Sequence, residues 1–165
     1  MRQNLLVLAI MIASASLCVA QEMLPIQSSG VTTVDVTVKK MKVKVTIHTV
    51  RIDRTNPLFP YPKDGWYPDE LSVLQSLQIA VDGGEAIQLP GSALPSQWDP
   101  NWASIRFEKG DFSLEILGGD ASLSTMARVY FDKKRVKRVV GYDPFGENRP
   151  VWEGRYLKVK PAEYN

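Results

Sequence analysis

The chain contains one histidine, His48, and one cysteine, Cys18. A structural zinc site takes about four Cys or His ligands and a catalytic one usually two or more histidines, so ordinary zinc chemistry is not open to a single copy. A Ser-His-Asp or Cys-His mechanism would have to run through His48. Met41, Val43, Val45 and Ile47 alternate with polar residues, which turns His48 to the opposite side, with Lys42, Lys44 and Thr46. His48 therefore reads as an exposed strand histidine with no positioned acid partner. No glycine-rich phosphate loop and no Gly-x-Ser-x-Gly elbow occurs, and the sequence names no catalytic residue, no metal ligand and no cofactor.

The carboxylates Asp82, Asp99, Asp111, Asp120, Asp132, Asp143 and Glu147 stand mostly at turns, where aspartate usually accepts hydrogen bonds from nearby backbone. Asp143 to Asn148 is rich in oxygen donors but lacks the spaced ligands of a calcium loop. No pair stands out as the acid and base of a hydrolase.

The aromatic loops are the best candidates for contact with a ligand or partner. Phe59, Tyr61, Trp66 and Tyr67 lie among Pro57, Pro60, Pro62 and Pro68, and Trp98 and Trp102 flank an expected turn at Asp99-Pro100-Asn101. Aromatics on stiff loops bury much area and lose little entropy on binding; their structural alternative is to close the ends of the core as a satellite cluster. A mixed arrangement is expected, with Trp102 buried because it leads into a strand and Trp66 exposed beside Gly65. Two basic clusters, Lys39, Lys40, Lys42 and Lys44, and Lys133, Lys134, Arg135, Lys137 and Arg138, read as charged turns and edges that block aggregation, or else as a site for an anionic partner. The net charge of +2 favours no partner class, and nucleic acid is not expected.

The elements that must hold these residues are strands. Residues 31 to 53 alternate in period two with β-branched residues throughout, and the apolar phase changes between Lys39 and Met41. A two-residue hairpin or a bulge would produce that change, although Lys39-Lys40 lacks the Gly or Asn that primed turns favour. Pro68-Asp69-Glu70 with Leu71, Leu74 and Leu77 predicts a short helix that passes into a strand. Asp82-Gly83-Gly84 predicts a hairpin returning through Ile87 and Leu89. Further strands are expected at 104–108, 112–117, 123–131, 136–142 and 151–159. The sum is one all-β domain over residues 21–165 with about eight or nine strands and at most one short helix, an antiparallel sandwich in preference to a partly closed barrel.

Ahead of it, Arg2, the apolar run Leu5 to Ile12 and the small residues up to Ala20 have the three parts of a secretory signal peptide, cleaved after Ala20. Cys18 would suit lipid attachment, but Leu17 fits that motif poorly. The expectation is a periplasmic or secreted, non-enzymatic domain that binds a protein or envelope glycan partner through its loops. A periplasmic immunity or inhibitor protein is one concrete form. A carbohydrate-binding module built on the aromatic loops is the alternative, and a carboxylate-based hydrolase the third reading.

Overall fold

Val34, Val36 and Val38 on one strand and Val43, Val45 and Ile47 on the next share one apolar face because Lys39 and Lys40 form a two-residue turn between them. The computed structural model describes residues 23–62, 67–94, 98–108, 110–119, 124–143 and 149–155. The leader expected at 1–20, Trp66, Asp120 and Glu147 lie outside them. Among the described residues there are ten strands: β1 Leu24–Pro25, β2 Gly30–Val38, β3 Met41–Asp53, β4 Glu70–Val81, β5 Ile87–Pro90, β6 Pro100–Glu108, β7 Asp111–Gly118, β8 Thr125–Phe131, β9 Val136–Tyr142 and β10 Pro150–Arg155. They form a 4-stranded sheet in the order β2-β3-β4-β5 and a 6-stranded sheet in the order β1-β6-β7-β8-β9-β10. Every pairing is antiparallel. The two sheets face each other as a sandwich, and among the described residues no barrel closes. Among the described residues no helix is long and apolar enough to cross a membrane.

The core lies between the sheets. Val34, Val45, Ile47, Leu77 and Ile79 from the smaller sheet meet Leu114, Ile116, Val129, Phe131 and Val139 from the larger. Phe107, Phe112 and Phe131 make a ring series at one end, with centroids 4.9 and 5.3 Å apart. Two contacts clip the sheets together there. Lys39 places its ammonium 5.0 Å from the Phe107 centroid, and the Lys133 Nζ lies 2.6 Å from Asp82 of the β4–β5 turn.

The first hairpin forms against its turn chemistry. Lys39 and Lys40 adopt φ of 48° and 68°, the left-handed region that a primed turn requires at both central positions. A β-carbon costs about 1 to 2 kcal/mol there, so the register must be imposed by the nine cross-strand pairs from Gly30–Thr49 to Val38–Met41. Lys40→Gly should therefore stabilise the protein by about 0.5 to 1 kcal/mol, read as a raised urea midpoint with unchanged slope. Lys39 is left in place because its ammonium contacts Phe107.

The helix expected after Pro68 does not form. Glu70 to Val81 is strand throughout, and the three-residue spacing of Leu71, Leu74 and Leu77 comes from a bulge: His48 pairs with Ser76 while Thr49 pairs with Leu74, leaving Gln75 as the extra residue. One inserted residue shifts the alternation by one. Leu74, Leu77 and Ile79 consequently belong to the main core, while Leu71 and Val73 turn to the outer face of the sheet.

Candidate functional site

Because the bulge turns Leu71 and Val73 outward, opposite Ile52 and Val50, the smaller sheet carries an apolar patch on its outer face at one end. The proline-rich loop covers it. Phe59, Tyr61 and Trp98 pack against Ile52, Leu71 and Val73, Tyr61 stacks on Tyr67 at 4.2 Å with the planes 5° apart, and Phe59 meets Tyr61 edge-on. Burial, the nearby Asp99 carboxylate and Tyr67 push the Tyr61 phenol up. The loop is tied down through Arg54, which donates to the Tyr67 carbonyl. Four of the six aromatic candidates thus belong to a satellite cluster, packed on one another or on the outer face of the smaller sheet.

Trp98 and Trp102 do not act together. Trp98 forms a bridge with Val73 of the smaller sheet, and Asp99 holds the crossing between sheets: its carboxylate accepts from Ser72 N–H at 2.7 Å, its N–H donates to the Ser72 carbonyl, and its carbonyl accepts from Gly119. Trp102 then lies near the start of β6 on the larger sheet and is 44% exposed, which corrects the expectation that it is buried. Leading into a strand does not decide burial; the face does. A bulge at Asn101, between Pro100–Gly118 and Trp102–Leu117, sets Trp102 on the outer side while Ala103 and Ile105 enter the core.

The outer face of the 6-stranded sheet is a surface that the sequence pattern did not single out. Register alone assembles it, since residues opposite one another in antiparallel strands share a face. One row crosses all six strands through Pro25, Trp102, Leu117, Met126, Tyr142 and Pro150. The next contains Ser104, Glu115, Arg128, Val140 and Glu153, and the third Arg106, Ser113, Tyr130, Arg138 and Arg155. Among the described residues no strand packs over this face.

Its charged and aromatic groups fix one another. Glu115, 9% exposed, receives Arg128 through a short double contact and has Arg106 at 4.0 Å. The Arg128 guanidinium lies 5.0 Å from the Tyr142 ring centroid and that of Arg138 3.9 Å from the Tyr130 centroid. The two phenol oxygens are 3.4 Å apart. Burial works against ionisation of Tyr130, but the hydrogen bonds from Tyr142 and Arg128 and the charges of Arg128 and Arg138 outweigh it and hold the phenol below its usual range. Burial and the Tyr130 hydrogen bond push Tyr142 up. Beside these rings a groove of about 470 Å³ is lined by Glu108, Asp111, Tyr130, Lys137, Arg138, Glu153 and Arg155.

The remaining candidates fall into structural places. His48 faces outward, half-buried, opposite Val31. Among the turn carboxylates, Asp132 accepts from Lys134 and Arg135 backbone N–H groups, which with nearby cations overcome burial and lower its pKa. Asp82 accepts from Lys133 and from Lys42 N–H, and both lower its pKa. In the second basic cluster, Lys133, Lys134, Arg135 and Arg138 are exposed; Lys137 bonds Asp111 and lies 3.7 Å from Asp132. Among the described residues no three of His, Cys, Asp and Glu gather as metal ligands. The outer face thus presents fixed cations, acceptors and rings on a broad surface. No protein-family model matches the chain, and no curated protein or solved structure does.

Proposed function

We propose that the chain is an exported, non-enzymatic β-domain that binds a protein partner, and that the outer face of its 6-stranded sheet is the contact surface. The observation that carries this reading is the content of three adjoining rows on one face: Trp102, Tyr130 and Tyr142 stand among Arg106, Arg128, Arg138 and Arg155. Trp, Tyr and Arg are the residue types that dominate binding energy at protein interfaces. Stacking and ion pairing hold Arg128 and Arg138 before any partner arrives, which reduces the side-chain entropy lost on association. The leader-like residues 1–20 support export, and an immunity or inhibitor protein in the periplasm is one role that such a domain would fill.

The test is capture of envelope proteins on the tagged chain, followed by affinity measurement with the partner so found. Trp102→Ala and Arg138→Ala should each weaken binding at least about tenfold, equivalent to about 1.4 kcal/mol, with unchanged circular dichroism. Full affinity in both variants would remove the face from the proposal. Binding to a polysaccharide panel that Trp102→Ala abolishes would favour the carbohydrate reading instead.

A further inference from the structure

Among the described residues the sandwich has four edges, and they are not treated alike. β1 has 2 residues and ends in Pro25; β5 has 4 and ends in Pro90; β10 begins at Pro150, is bulged there and carries Glu153 and Arg155. These are the devices that keep sheet edges from pairing with other chains. The remaining edge, β2, has 9 residues, Gly-Val-Thr-Thr-Val-Asp-Val-Thr-Val, with no proline, no Lys or Arg and one charge. Its outward residues Val31, Thr33, Asp35 and Thr37 are all exposed, Val31 by 49%.

The register shows which backbone groups are free. A two-residue turn makes Val38 and Met41 a hydrogen-bonded pair, so the even-numbered residues of β2 bond to β3 and the odd-numbered ones aim N–H and C=O away from the sheet. Lys42 agrees with this parity, since both its N–H and its carbonyl bond Asp82 on the other side. Among the described residues the backbone groups of Val31, Thr33, Asp35 and Thr37 have no partner outside the β2–β3 ladder. The connection before β2 bonds Thr32 and Thr49 through hydroxyls on the core side, not through this edge.

We propose that two copies of this chain pair through β2, edge to edge and antiparallel, about a two-fold axis at Val34, joining two 4-stranded sheets into one of eight. An isologous interface must be complementary to itself, and this register is. All nine residues are paired, the free groups of Thr33 and Asp35 meet those of the partner's Asp35 and Thr33, and Val31 meets the partner's Thr37. On the core side Val34 meets its own copy and Thr32 meets the partner's Val36, so the apolar layer runs on across the axis. An axis at Asp35 would set two carboxylates face to face, and one at Thr32 or Val36 would leave part of the strand unpaired. That the one edge left unprotected among the described residues is also self-complementary is what favours a second copy over a foreign strand.

The test is sedimentation across a wide concentration range together with disulfide trapping, in a Cys18→Ser background so that no other thiol is present. The expected result is a concentration-dependent dimer. Val34→Cys should cross-link to itself, because the two α-carbons of a non-hydrogen-bonded pair lie about 4.5 Å apart, within disulfide reach. Val36→Cys should not, since its copy is displaced by about 13 Å along the strand. Thr33→Pro removes one outward donor without touching the β2–β3 ladder and should weaken the dimer at least about tenfold while circular dichroism stays unchanged. A monomer at all concentrations, a dimer indifferent to Thr33→Pro, or equal cross-linking at positions 34 and 36 would each overturn the proposal. If Val34→Cys does not fold, the wild-type and Thr33→Pro sedimentation results decide alone. Failure here leaves the partner-binding face of the other sheet untouched, because the two surfaces share no residue.

Discussion

Phe131→Ala should cost about 3 to 5 kcal/mol of stability, whereas Trp102→Ala should change it by less than about 1 kcal/mol. Both are large aromatic residues on strands of the same sheet, and the difference lies in the face each presents. Phe131 has no exposed surface, stacks on Phe112 at 5.3 Å and through it adjoins Phe107. Truncation would open a cavity among residues on rigid, paired strands that have little freedom to close it. Trp102 keeps 44% of its surface in water, so much less of it is buried on folding. Urea unfolding of the two variants measures both values. Near-equal losses would mean that Trp102 contributes to the fold, and the case for the outer face as a recognition surface would lose its central residue.

The second large effect is expected at Gly91, which opens the short 3-10 turn Gly91–Ala93 after β5. A β-carbon there would lie 1.8 Å from the Leu74 carbonyl oxygen and 3.0 Å from that of Gln75. The obstruction is backbone at the β4 bulge, so no side-chain rotation relieves it. Gly91→Ala must push the turn away from β4, and with it Leu94, whose N–H bonds the Gly91 carbonyl and whose side chain is buried. A loss of about 3 kcal/mol is expected, at the upper end of ordinary overpacking. Gly83→Ala is the control, because nothing lies within 4 Å of that position and only the left-handed φ of 70° opposes the change, at about 1 to 2 kcal/mol. A Gly91→Ala variant as stable as the wild type by thermal melt would show that the turn is not seated against the bulge.

The sequence by itself determined the strands. Period-two alternation with β-branched residues depends on neighbours in the chain, so β2, β3 and β7 to β9 are legible at nearly their observed bounds and β6 only over 104–108, and with them the antiparallel sandwich. It also determined that His48 faces outward and that Asp132 serves its own turn, because both are local matters. It misled where a bulge intervened: Gln75 adds one residue to β4, and the altered spacing of Leu71, Leu74 and Leu77 imitates a helix. The same bulge decides that Leu71 and Val73 face outward, and therefore that the Pro-rich loop has an apolar patch to cover. Only the tertiary structure could separate Trp98 from Trp102, which are neighbours in sequence but cross from one sheet to the other at Asp99. Only it could bring together Trp102, Arg128, Tyr130, Arg138 and Tyr142, one or two to a strand. Each of these strands shows its outward residues in sequence, but which of them stand side by side is set by cross-strand register and by bulges at Asn101 and Val151, and register is a property of pairs of strands that no single segment encodes.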